Sequence, residues 1–355
     1  MLRLLPWSPE YGSAMQADPD SFDAADDSAA VDTSIEGEWR ARPPLGEPPA
    51  AVQIVDGVRR VEAHAIDDLA DGETAFGLFG SYAVGAVRCE GDRSWVLDGD
   101  AAEGERLRVF RVYLQGGGEP RDQEVAAGAL RLHFRARIEG SARTSNQLAD
   151  VLQRSMLDAE AQLAEALAED ESALTIVDGP LRLRSVGQRV AGYIKRIQSW
   201  YIAAHEFALL GQLAVGERTP LFRIAGGGEA GSRGRPDRYA WYLRIADMGA
   251  HYHQLSGIVR LEAPGALPLG EAARLADECG LALPRLASSP VRDPRAPQNL
   301  TPVGALESLL TRRLGEREWV RRLIASALRA APQPLEPAAP REGLRSSNGA
   351  GGARW

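Results

Sequence analysis

Residues 146–179, NQLADVLQRSMLDAEAQLAEALAEDESALTIVDG, constrain the fold of this chain more than any other stretch, because their hydrophobic period changes once and sharply. Leu148, Leu152, Met156, Ala159, Leu163 and Leu167 recur every three or four residues, the spacing of one face of an α-helix. Thr144 or Ser145 can cap its start. The period then gives way to ALTIVDG, a short run apolar on both faces, as expected of a strand buried inside a sheet. A parallel connection needs a long crossover, and a helix over 146–169 supplies one.

Four strand signals lie upstream: AVQIVDGVRRVEAHAI, GLFGSYAVGAVRC, RLRVFRVYLQG and ALRLHFRARI. Each is rich in β-branched or aromatic residues with turns between, which predicts an antiparallel meander of three or four strands. The whole therefore reads as α/β, a mixed sheet with a meander, flanked by helices. Downstream come an amphipathic stretch over 186–215, two strand candidates around a Gly/Arg loop (223–247), a further strand pattern in HQLSGIVRLEAP, a short helix in EAARLADEC and a helical region over 301–328. Residues 1–49 are acidic and end in a proline-rich run, so they read as a largely irregular arm, and 329–355 as a disordered tail around a single domain over 50–328.

The tetrapeptide IVDG occurs twice, in VQIVDGVRRVE and LTIVDGPLRLR. Taken singly, Asp-Gly after a strand is turn chemistry. If the two strands are parallel neighbours, however, Asp56 and Asp178 reach the same sheet edge about 4.8 Å apart, close enough to share a cation. With only Cys89 and Cys279, no thiolate site or disulfide framework is indicated, and hard oxygen ligands suit Mn²⁺ or Mg²⁺. Gly57 and Gly179 would let a phosphate backbone approach. A net charge of −8 excludes a protein that coats nucleic acid by bulk positive charge, but not a local basic channel. No apolar run is long enough to cross a membrane, and a cytoplasmic location is expected.

The motifs VQIVDGVRR, LTIVDGPL, VAGYIKRI and NLTPVGALESLL, in this order over residues 50–328, resemble the NurA nuclease family and its ribonuclease-H-like fold. The resemblance implies a Mn²⁺-dependent (or Mg²⁺-dependent) deoxyribonuclease of the single-strand endonuclease and 5′–3′ exonuclease type. It also implies a homodimer that works with a HerA-type hexameric ATPase, a DNA translocase, in DNA end resection and double-strand break repair. By position, Asp56 and Asp178 are the metal-binding aspartates, and Lys195 contacts a phosphate or the nucleophile. In the last motif Pro302 leads to Glu307 where the family has His or Asp, and Val58 replaces a Ser that often follows the first Asp-Gly. Glu307 is thus a candidate ligand of altered chemistry. These departures keep open a catalytically weak subunit that docks on the translocase or binds DNA without cleaving it.

Other candidates carry two readings each. Glu62 shares a strand face with Asp56, Arg60 and His64, and is either a further metal ligand or part of a solvated face. Asp247 ends a strand pattern or caps a turn, and His251 and His253 form a metal pair or a surface pair. Arg233, Arg235 and Arg238, with Arg60, are candidates to grip DNA phosphates, and Tyr193, Trp200 and Tyr201 to stack on unpaired bases or to fill the core.

Overall fold

The computed structural model describes residues 2–4, 30–69, 72–98, 106–127, 130–182, 189–197, 200–226, 236–249, 252–289 and 298–330. After the short strands β1 (Leu2–Leu4) and β2 (Val31–Asp32) come β3 (Ala51–Asp68) and β4 (Thr74–Glu90), two long strands that pair antiparallel along their whole length and form the spine of the sheet. Then follow β5 (Arg93–Val96), β6 (Arg108–Gln115), β7 (Gln123–Ala127), β8 (Leu130–Ile138) and helix α1 (Ser145–Leu167). The second half holds β9 (Ala173–Asp178), β10 (Val190–Ile194), α2 (Ala204–Phe207), β11 (Phe222–Ile224), β12 (Arg238–Arg244), β13 (Ile258–Pro264), α3 (Leu269–Ala282), α4 (Thr301–Arg313) and α5 (Arg317–Ala330).

The strand order β2-β11-β12-β13-β10-β9-β3-β4-β6-β8-β7 makes one mixed sheet, with β1 alongside β3 and β5 alongside β4. Its middle carries the logic of the fold. β6, β4 and β3 are a meander, and β9 and β10 add to β3 as successive parallel strands. That is the ribonuclease-H-like arrangement, and the parallel β3–β9 pair expected from the sequence is present, with α1 leading into β9.

Alternation along β3 sorts side chains to two helical layers. Val55 packs with Leu148, Leu152 and Met156 of α1, whereas Val52 and Ile54 pack with α3 and α4 residues such as Leu275, Leu306 and Leu310 on the other face. Of the two candidate caps of α1, Thr144 is the one used, and it forms a capping box in which Thr144 and Gln147 each satisfy the other's backbone N–H.

Three sequence expectations change here. β3 does not stop at Asp56-Gly57 but continues to Asp68, so the first Asp-Gly is mid-strand, and its burial between helices rather than turn chemistry governs it. Val190–Ile194, read from the sequence as part of an amphipathic stretch, is a fully buried strand, because it lies inside the sheet, parallel to β9 and antiparallel to β13. The arm is also partly built into the domain. Val31–Asp32 pairs with β11, and Glu36 accepts hydrogen bonds from both Nη atoms of buried Arg218 (2.8 and 2.9 Å) and from the Leu221 N–H (2.6 Å). Residues 331–355 lie outside those described.

Candidate metal centre

The register of β3 against β9 ends at Val55↔Val177, and the next residue in each strand is Asp56 and Asp178. Both side chains follow the alternation of Ile54 and Ile176, toward the α4 layer. The partner of Asp56 on its other side is Gly85, and a Cβ there would come to 3.2 Å from Leu310 and 3.4 Å from Leu306. Gly85 therefore lets α4 lie close on the sheet beside Asp56. Glu307, next to Leu306, then reaches across. One carboxylate oxygen each from Asp56, Asp178 and Glu307 lie within 4.8 Å of one another.

Three like charges in so small a space are costly unless something compensates them. Asp56 is buried, and burial together with Asp178 and Glu307 pushes its carboxyl well above the usual range, against opposing effects of Lys195 and the Gly57 N–H. The compensation within the chain is Lys195, just after β10, whose Nζ lies 2.5 Å from Asp178 Oδ2. Burial pulls the Lys195 ammonium down, but Asp178 and Asp56 more than offset it, and the net shift is upward. One oxygen is left over: Asp56 Oδ2 is buried without a hydrogen-bond partner. A buried carboxylate with an unpartnered oxygen, clustered with two more carboxylates, is a donor set that fits a hard divalent cation.

A fourth carboxylate, overlooked in the sequence, stands on the opposite face. Glu160 of α1 is buried against Gly57, where a Cβ would collide with its Oε1 and lie 3.1 Å from Met156. Burial first, then Asp56 and Asp178, raise its carboxyl well above normal, with Arg182 acting in the other direction. Its signal was available: Glu160 falls on the apolar stripe of α1, between Met156 and Leu163, where a charged residue has no packing reason to be. Gly57 opens toward this helix and not toward solvent, contrary to the expected phosphate approach. Gly179 takes φ +118°, with open space where a Cβ would stand.

The other candidates go elsewhere. Glu62 is not brought to the cluster, since six residues of extended strand separate it from Asp56 by about 20 Å. It sits at the bulge between Val61 and Ala63, fully buried, and accepts from Arg60 Nε and Nη2 at 2.9 Å each. Arg60 also donates to the carbonyls of Leu314 and Gly315, and with 11% of its side chain exposed it is turned inward rather than toward DNA. Tyr193 is 1% exposed in the core and its hydroxyl donates to the Gln298 carbonyl at 2.7 Å, so no base can stack on it. Trp200 packs edge-on against Phe207, Tyr201 lies under Arg260, and Asp247 accepts from the Gly249 N–H in a turn. His253 is exposed in a turn before β13, not on a strand face. Arg238 pairs with buried Glu262, whereas Arg233, Arg235 and His251 lie outside the described residues.

No helix among the described residues is long and apolar enough to cross a membrane. A family model described as NurA domain matches residues 96–303, more than half of the chain. That span includes Asp178 and Lys195, and it leaves Asp56 and Glu307 on either side. Among solved structures, the crystal structure of the NurA nuclease from Sulfolobus solfataricus aligns over 82% of this chain and 87% of its own, at 9% identity and a TM-score of 0.42. No curated protein matches.

Proposed function

The chain belongs to the NurA domain family, and from that premise we propose that it is a divalent-metal-dependent deoxyribonuclease whose cation is held by Asp56, Asp178 and Glu307. The single observation that carries this reading is the convergence of three carboxylate oxygens within 4.8 Å from three separate elements. A divalent cation at such a site supplies Lewis-acid stabilisation of the charge that develops on a phosphoryl group. The chain's own residues supply the rest. Asp56 and Asp178 fix the position from adjacent parallel strands, and Glu307 closes the set from α4. That Glu307 lies in the set favours the active reading over a docking subunit. Glu160 lies behind Gly57, where burial and the neighbouring aspartates favour its neutral, protonated form. Lys195, once Asp178 is engaged by a cation, is free to meet a non-bridging phosphate oxygen.

The family resemblance carries the finer proposals. These are Mn²⁺ (or Mg²⁺) as the cation, single-stranded DNA and duplex ends as substrate, a homodimer, a HerA-type translocase partner in end resection, and a cytoplasmic setting. Arg233 and Arg235, in a Gly-rich loop, remain proposed phosphate contacts. Labelled single-stranded DNA with Mn²⁺, with EDTA, and with the Asp178→Ala variant tests the reading. Cleavage is expected only for the unaltered protein with metal. Cleavage that survives Asp178→Ala would overturn the site, and none under any condition, translocase present, would favour the docking role.

A further inference from the structure

Glu62 and Arg60 belong to a second buried charge cluster, remote from the carboxylates. Arg60 Nη1 donates to the Gly315 carbonyl (2.9 Å) and its Nη2 to that of Leu314 (3.2 Å). Arg111, on β6, donates through Nη2 to the same Leu314 carbonyl (3.0 Å) and through Nη1 to Ser81 Oγ (2.9 Å). Glu62 accepts from Arg60 in bidentate fashion, with Arg111 at 3.8 Å. Glu62 is fully buried and the two guanidiniums nearly so, with 11% and 13% of their side chains exposed. Both carbonyls lie just beyond the last turn of α4, at the chain reversal where Gly315 takes φ +83°. The free carbonyls and dipole of a helix end attract cations. Two arginines sharing one buried carboxylate are more than such a cap requires.

What they hold is the helix that delivers Glu307, two turns before Leu314. The other end of α4 is held independently, by Thr301 N–H to the Leu286 carbonyl (2.8 Å) and Tyr193 to Gln298 (2.7 Å). Between these ends Leu306 and Leu310 pack on Gly85. Glu307 has a flexible side chain, so its carboxylate can complete the cluster only if α4 cannot slide or tilt. We infer that Arg60, Glu62 and Arg111 form a clamp that positions Glu307 for cation binding. They are positioning residues, and this role rests on the metal-centre reading above.

The test is a double-mutant cycle on Mn²⁺ affinity, measured by titration calorimetry on the full chain, with folding checked by circular dichroism. Arg111→Met and Glu62→Gln are each expected to weaken Mn²⁺ binding by about fivefold or more, below the cost of losing a direct partner of a ligand. In a Glu307→Ala background the same changes should have no further effect, because the ligand they position is gone. Should Arg111→Met fail to fold, Arg111→Lys keeps the charge and loses the fork to Leu314, and carries the same expectation. Folded clamp variants that bind Mn²⁺ like the unaltered protein, or that weaken it equally without Glu307, would overturn the clamp while leaving the metal centre intact. An unaltered protein that binds no Mn²⁺ would instead overturn the metal centre, and the clamp with it.

Discussion

Asp56 is held where a carboxylate is least comfortable, buried beside two others with one oxygen unpartnered. Such a residue trades stability for function. Asp56→Asn should therefore lower metal-dependent cleavage by on the order of a hundredfold or more, yet raise the melting temperature of the metal-free protein by an amount equivalent to about 1 kcal/mol. A fall in melting temperature in EDTA would contradict this. The pH dependence has a definite sign. Asp56 and Glu160 are both raised when folded, so the metal-free protein is best served below the ordinary carboxylate range and loses stability as pH climbs above it. A cation favours the ionised forms, so the melting-temperature gain from saturating Mn²⁺ should grow as pH rises above the ordinary carboxylate range. At this scale the sequence was informative where chemistry is local. Asp56, Asp178 and Lys195 were legible from motif and order. Glu62 and Arg60 were misplaced because the alternation that puts them on one face says nothing of what fills that face, and of the two readings of Tyr193 the core one holds.

The elements show how little room the site leaves. α4 touches β4 at Gly85, directly across from Asp56, and α1 meets β3 at Gly57. Gly85→Val should push Leu306 and Leu310 outward, costing about 1–3 kcal/mol in denaturant unfolding as an overpacked contact does, and weakening Mn²⁺ binding in step. Unchanged Mn²⁺ affinity in a destabilised but folded Gly85→Val protein would show that α4 does not set the ligand geometry. The long elements were readable: the period change at residue 170 gave α1 and β9, and the β-rich segments gave the meander. β10 was not readable. Five residues, VAGYI, are too few for a period to declare itself, and only their place between β9 and β13 makes them a strand.

Across the described residues, the sheet is extended well beyond the central five strands, and Val31–Asp32 of the N-terminal arm adds to its edge. Glu36 and Asp277 neutralise Arg218, which is 3% exposed. Glu36→Ala leaves that guanidinium with one carboxylate, Asp277, and the Thr219 carbonyl, and strips the Leu221 N–H, so a loss of about 3 kcal/mol is expected in urea unfolding. A change under about 0.5 kcal/mol would mean that residues 30–49 are an appendage after all. Composition had suggested an appendage because an acidic stretch ending in a proline-rich run resembles a solvated arm, whereas the partner of Glu36 lies 182 residues away.

The central claim is that Asp56, Asp178 and Glu307 together hold a divalent cation, and anomalous diffraction at the manganese edge from crystals grown with Mn²⁺ tests it most directly. The account predicts an anomalous peak bonded to oxygens of all three side chains, at roughly 2.0 to 2.6 Å. A peak elsewhere, or these three carboxylates still clustered without one at saturating Mn²⁺, would contradict it.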